Sequence, residues 1–207
     1  MIVVHHLNQS RSHRILWLLE ELGVPYELRL YERDPQTRFA PPELKAAHPL
    51  GKSPVITDGR RTIAESGAII EYLIHRYGRG RFAPKPGSGE WIDYIQWLHF
   101  AEGSAMLPML LALYVGRLGE AGAPLKPRID SEIANHLGFI ESELAGGHAF
   151  ICGKSFSGAD IQIGFVLDAA EARGRLEPYP ECRRYLEAMR ARPAYRRALE
   201  RGGPVMP

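Results

Sequence analysis

Residues 78–89 read Gly-Arg-Gly-Arg-Phe-Ala-Pro-Lys-Pro-Gly-Ser-Gly, and no regular element survives such a run of Gly and Pro. This break divides the chain into two stretches with different periodicities. Before it, strand-like and helix-like segments alternate. Ile2 to His6 is rich in β-branched residues and reads as a buried strand. Arg11 to Leu22 places Ile15, Leu18, Leu19 and Leu22 on one helical stripe, with Gly23 as its stop and Pro25 beyond it. Tyr26 to Leu30 alternates and reads as a second strand. A short helix is expected at Pro42 to Ala47. Pro54 to Thr57, the turn Asp58-Gly59, and Arg61 to Ala64 form a hairpin pattern, and Glu65 to Tyr77 is a further helix. The order β-α-β, α, β-β-α implies a parallel strand pair with a right-handed crossover, to which a hairpin adds antiparallel strands. After the break the strand signals stop. Glu90 to Leu118, Pro127 to Leu144, Ser157 to Arg173 and Pro180 to Arg201 read as helices. The expected architecture is α/β plus all-α: residues 1–78 as a βαβ-α-ββα domain, 79–89 as linker, and 90–207 as a helical-bundle domain.

Composition closes off several function classes. A net charge of +2 and a pI near 8.6, with basic residues dispersed, give no footprint for nucleic acid. Cys152 and Cys182 form no CxxC pair and are too few for a disulfide framework or a zinc site. No metal is expected. The start, Met1 to His6, lacks the basic segment and length of a signal peptide. No apolar run stands out as a membrane span, so a cytoplasmic protein is expected.

Three short segments carry the chemistry. In Leu50-Gly51-Lys52-Ser53-Pro54-Val55, a proline opens a strand. If the Ser53-Pro54 bond is cis and the strand lies at an edge, the backbone of Val55 is free to pair with an extended peptide. Glu65-Ser66 opens a helix whose unpaired amides bind a carboxylate, while Glu65 can accept from an ammonium group. Together they suit a zwitterion. The loop Asn8-Gln9-Ser10-Arg11-Ser12 lies between the first strand and the first helix, where a thioredoxin-like fold would carry its redox cysteines. With no cysteine there, what remains are hydroxyl and amide donors at a helix start, which stabilise a bound thiolate and lower its pKa. Each segment alone is also explained by capping and turn chemistry.

This ordered set resembles the cytosolic glutathione transferase family over essentially the whole chain. Ser157-Gly158-Ala159-Asp160-Ile161 is similar to that family's buried capping box. The runs Ser10 to Leu19 and Phe100 to Ser104 look most like a bacterial and fungal branch. The resemblance implies a glutathione transferase that activates the glutathione thiolate for attack on a small hydrophobic electrophile. A glutathione-dependent disulfide reductase or peroxidase, or a non-catalytic binding protein, are the alternatives. It implies Val55 against the cysteinyl backbone, beside Ser53 and Pro54. It assigns Glu65 and Ser66 to the γ-glutamyl end, and Lys52 with His48 to the glycine carboxylate. The thiolate donor is Ser10, with Asn8 and Ser12 as alternatives. His5-His6-Leu7 ends the first strand, so neither a Tyr nor a Cys is available for that role. Trp97, His99, Glu102 and Met106 are implied for the second substrate, and a homodimer as the assembly.

Overall fold

The computed structural model describes residues 1–206, in two compact units: Met1–Ala83 with Met189–Pro207, and Pro84–Ala188. In the first unit, β1 (Ile2–Leu7) pairs parallel with β2 (Tyr26–Tyr31) and antiparallel with β3 (Val55–Asp58), which pairs antiparallel with β4 (Arg61–Ala64). The sheet order is β2-β1-β3-β4. The crossover between β1 and β2 is supplied by α1 (His13–Leu22), followed later by α2 (Leu44–Ala47) and α3 (Ser66–Tyr77). Apolar residues at helical spacing explain the core. Ile15, Leu18 and Leu19 of α1 and Ile69, Ile70 and Leu73 of α3 are fully buried. Gly23 ends α1 in the left-handed region, φ 68°, which glycine adopts without penalty.

One expected boundary is corrected. The last helix was expected to run unbroken from Pro180 to Arg201 within the helical domain. It is two helices, α8 (Pro180–Arg190) and α9 (Pro193–Gly202), because Pro193 cannot continue a helix but starts one well. The α9 helix then packs on α1 and belongs to the first unit. Arg192 makes two bonds to the Glu21 carboxylate, at 2.6 and 3.0 Å, and Arg197 and Arg201 reach Glu20. Burial works against the charge of Glu20, but hydrogen bonds from Arg197, Tyr26 and Arg201 outweigh it and hold its carboxyl below the usual range. Tyr195 meets Trp17 and His13 edge-on, each at 5.0 Å between ring centres.

The second unit is helical, as expected. Its helices are α4 (Gly89–Phe100), α5 (Met106–Gly116), α6 (Lys126–Leu144), α7 (Gly158–Glu171) and most of α8. A π-helical turn, Ala101–Ala105, joins α4 to α5. Within the continuous run Gly89–Gly116 an 18-residue stretch has mean hydropathy 1.4 and is 33% buried, so that, contrary to expectation, the run is long and apolar enough to cross a membrane by length and composition. At the start of α7 the capping box forms as expected. Ser157 Oγ accepts from the Ala159 amide, and the Ser157 amide donates to Asp160 at 2.7 Å.

Candidate functional site

The sheet register decides which segments meet. His5 lies opposite Val55, and Val55 lies opposite Ala64. The loop after β1, the turn before β3 and the residues after β4 therefore all emerge at one end of the sheet. Those are Asn8–Ser12, Lys52–Pro54 and Glu65–Ser66. The two described surface depressions lie at the other end, one of about 870 Å³ lined by Met1, Gly23, Pro25 and Arg81, so they do not mark this cluster.

The Ser53-Pro54 bond is cis. The expectation for Val55 is corrected, because β3 is an interior strand with β1 on one side and β4 on the other. Val55 is fully buried and its backbone lies within the ladder. One residue earlier the ladder has stopped. Ser53 donates its hydroxyl to the His5 carbonyl at 2.9 Å and accepts from the Leu7 amide at 3.3 Å. Its side chain thus closes the end of β1, and its backbone lies outside the β3 ladder. Its residue type was noticed in the sequence. The signal for this end of the ladder was the proline, which stops a ladder just before itself.

At the opening of α3, Ser66 is buried and Glu65 is exposed. Glu65 has φ 69° and ψ 123°, a conformation costly for a residue with a Cβ. Such strain persists where the surroundings impose it. The first amide paired within the helix is that of Ile69, bonded to the Glu65 carbonyl. Those of Ser66, Gly67 and Ala68 stand in the positions helices leave open to anions. Lys52 is exposed and His48 half-buried, on the loop entering β3. His48 is tied locally, its carbonyl accepting from Gly51 and its Nδ1 from Leu50.

The loop after β1 separates the three candidate donors. Asn8 continues the ladder by donating to the Tyr31 carbonyl, and its Oδ1 accepts from the Arg33 amide at 3.0 Å. Its side-chain carbonyl therefore pins the segment after β2. Gln9 takes φ 49° and swings the chain around. Ser12 is fully buried, whereas Ser10 keeps 6% of its surface exposed. The two hydroxyls lie 2.7 Å apart, and Ser12 Oγ lies 2.8 Å from His6 Nδ1. His6 Nε2 is 2.9 Å from the Gly202 carbonyl at the end of α9. Burial lowers the His6 pKa, opposed by that carbonyl. His5, on the other face of β1, bridges Tyr31 and Thr57 at 2.9 and 3.0 Å. In the sequence His6 reads first as a strand residue, with a catalytic role as the lesser alternative. Its partnership with Ser12 was hidden because the loop conformation that joins them is set by Gln9.

In the second unit, Trp97 and Met106 are almost wholly buried, and Trp97 stacks on Phe139 at 5.1 Å. Both are thus core residues, the reading that their helical spacing favoured, rather than exposed lining for a second substrate. His99 is exposed and Glu102 half-buried, on or beside the π-helical turn. Burial pushes the Cys152 thiol up to about 12, and the Cys182 thiol further still, which disfavours the thiolate at both. Among the described residues no His, Cys, Asp and Glu cluster suits a metal ion.

Residues 1–75 match the family model for the glutathione S-transferase N-terminal domain, and residues 123–188 that for the C-terminal domain. Glutathione S-transferase 3 of Schizosaccharomyces pombe is 37% identical over 97% of this chain and 88% of its own. A crystal structure of a glutathione S-transferase from Actinobacillus pleuropneumoniae superposes with a TM-score of 0.89 at 39% identity, covering 98% of this chain and 93% of that one. A glutathione transferase family member from Pseudomonas fluorescens, solved with two glutathione bound, gives a TM-score of 0.76 at 30% identity, with 96% and 92% covered.

Proposed function

The chain belongs to the glutathione transferase family and is a glutathione transferase; on that premise we propose that Ser10 donates to the glutathione thiolate and prepares it to attack a small hydrophobic electrophile. One observation carries this reading. Of the three candidate donors, Ser10 alone combines a hydroxyl with residual exposure, at the sheet end where the other segments converge. A thiolate there is stabilised by the hydroxyl and by the start of α1, so more of the nucleophile is present at neutral pH. Holding it in place beside the electrophile supplies the rest of the catalysis.

In this reading the α3 amides and the Ser66 hydroxyl take the γ-glutamyl carboxylate, and Glu65 its ammonium group. The Ser53 backbone pairs with the cysteinyl residue, in the role expected of Val55. Lys52, with His48, neutralises the glycine carboxylate. His99 and Glu102 remain as polar contacts for the second substrate. A homodimer and a cytoplasmic location belong to the same reading, by likeness to the family. The two glutathione molecules held by the Pseudomonas relative favour a second reading, reduction of a disulfide in which glutathione is itself the thiol.

Two substitutions test the assignment. Ser10→Ala should raise the pKa of bound glutathione by about one unit and lower kcat/KM about 100-fold. Its affinity for an S-alkylated glutathione, which has no thiol to activate, should stay the same. Ser66→Ala should weaken binding of that same ligand about tenfold, the worth of one hydrogen bond to a charged group. A Ser10→Ala enzyme with an unaltered thiol pKa would remove Ser10 from the mechanism. An unaltered affinity in Ser66→Ala would remove the γ-glutamyl assignment.

A further inference from the structure

The buried chain Gly202, His6, Ser12, Ser10 has a definite direction. A carbonyl only accepts, so the Gly202 oxygen fixes the proton of a neutral His6 on Nε2. Nδ1 then only accepts, and Ser12 must donate to it. The Ser12 oxygen in turn receives the Ser10 proton, across 2.7 Å. Ser10 accepts from the Ser12 amide at 3.2 Å and keeps one lone pair for the site. In this state Ser10 is an acceptor toward a ligand, suited to a thiol S–H but not to a thiolate. The other neutral tautomer would set the Nε2 lone pair against the carbonyl oxygen. For Ser10 to donate outward, Ser12 must donate to Ser10 and His6 Nδ1 must donate to Ser12. That requires an imidazolium, with Nε2 still donating to Gly202. Ser12 Oγ also lies 3.3 Å from the Leu7 carbonyl, a longer contact than its 2.7 and 2.8 Å approaches to Ser10 and His6, and both states keep the two shorter bonds.

We propose that His6 is a positioning residue that takes up the glutathione proton through Ser12 and Ser10, so that thiolate formation and the outward turn of the Ser10 hydroxyl are one event. The proposal rests on Ser10 being the thiolate donor. The glutathione S–H bond breaks as its proton passes to Ser10, the Ser10 proton passes to Ser12, and the Ser12 proton forms the Nδ1–H bond of His6. No electrons are transferred, and a neutral pair becomes a thiolate and an imidazolium. The surroundings are arranged for this. Gly202 can bring its carbonyl close only because it lacks a side chain. A Cβ there would lie 2.5 Å from Leu16 Cδ1 and 3.0 Å from His6 Cε1. Of the titratable groups packed near His6, His13 on α1 stays neutral, its pKa depressed to about 3 by burial and by His6 itself. Arg14, in the first turn of α1, is also buried. His5 points to the opposite face of the sheet. Burial keeps His6 neutral at rest, and the thiolate's negative charge is what offsets that cost.

The test counts protons. At pH 7.5, where free glutathione is mostly thiol, thiolate formed on the protein is read from its ultraviolet band. Protons released to solvent are read by calorimetry in buffers of different ionisation enthalpy. The relay retains the proton, so the native protein should release close to none per thiolate formed. Release of close to one overturns the relay. Two variants sharpen the result. His6→Asn keeps an acceptor facing Ser12 but takes up no proton, and Ser12→Ala cuts the chain. Each should release close to one proton per thiolate and raise the bound thiol's pKa by about one unit, a tenfold loss of thiolate. Folded variants that match the native protein in both readings also overturn the relay. If Ser10→Ala raises the thiol pKa and Ser12→Ala does not, the relay fails alone. If neither does, or the native protein forms no thiolate, the assignment of Ser10 fails with it.

Discussion

In the second unit, Asp160 collects four hydrogen bonds: from the Ile151 and Ser157 amides, the Ser157 hydroxyl and the Tyr185 hydroxyl, all at 3.0 Å or less. All four donors end on one carboxylate that is wholly buried. In the first unit, the chain from Gly202 through His6 and Ser12 is built from groups that both give and take protons, and it ends on Ser10, which is not fully enclosed. The first arrangement has one low-energy pattern of protons; the second has two. A network whose donors all converge on one acceptor fixes a fold. A network of reversible donors with an open end can respond to what touches that end.

The contrast breaks most visibly at Asp160. Asp160→Ala leaves two amides and two hydroxyls buried without their acceptor. It should cost about 4 kcal/mol, measured by denaturant unfolding, because each such group loses its bond without regaining water. A cost under about 1 kcal/mol would mean that water enters and that the box is not a fixed network.

Gly202→Ala acts on the other network by a smaller amount. The added methyl must displace Leu16 or the His6 ring. Such overpacking costs about 1.5 kcal/mol, partly offset by the better helix propensity of Ala at the end of α9. The sharper readout is the bound thiol's pKa, which should rise as His6 is pushed from its carbonyl. An unaltered thiol pKa with reduced stability would show that α9 supports the fold without reaching the site.

Much of this was legible in the sequence. Periodicity and turn residues placed every strand and nearly every helix, and the capping box was visible in Ser157 and Asp160. What was not legible depended on contacts between distant segments. Pro193 was a visible breaker, but nothing local said that α9 would return to α1, because the pairing of Arg192 with Glu21 spans 171 residues. The interior place of β3, which leaves no free backbone at Val55, followed from strand order, which alternation along one strand does not contain. His6 reads as a strand residue in isolation and becomes something else only when Gln9 folds Ser12 back onto it.

The smallest effect, and the most diagnostic of how the two networks differ, is in pH. His13 is buried against Tyr195, its Nε2 has no hydrogen-bond partner, and its pKa is depressed to about 3 by burial first and by His6 second. Its ordinary value, which the unfolded chain recovers, is 6.5. Between those values the unfolded chain holds a proton that the folded chain does not, so stability rises with pH there. The His13 contribution is complete above pH 6.5 and is lost as pH falls toward 3. The slope from this one residue approaches about 1.4 kcal/mol per pH unit. His5 and His6, both lowered chiefly by burial, add to the same side. Stability should therefore fall from pH 7.5 to 5.5, and His13→Leu, which keeps an apolar filling beside Tyr195, should flatten that fall by about one proton. The capping-box unit contains no comparable buried histidine among the described residues. A pH dependence unchanged in His13→Leu would mean that His5 and His6, rather than His13, carry the fall; the buried Asp160 carboxyl, its pKa raised by burial, acts in the opposite sense and does not weaken the fold as pH drops.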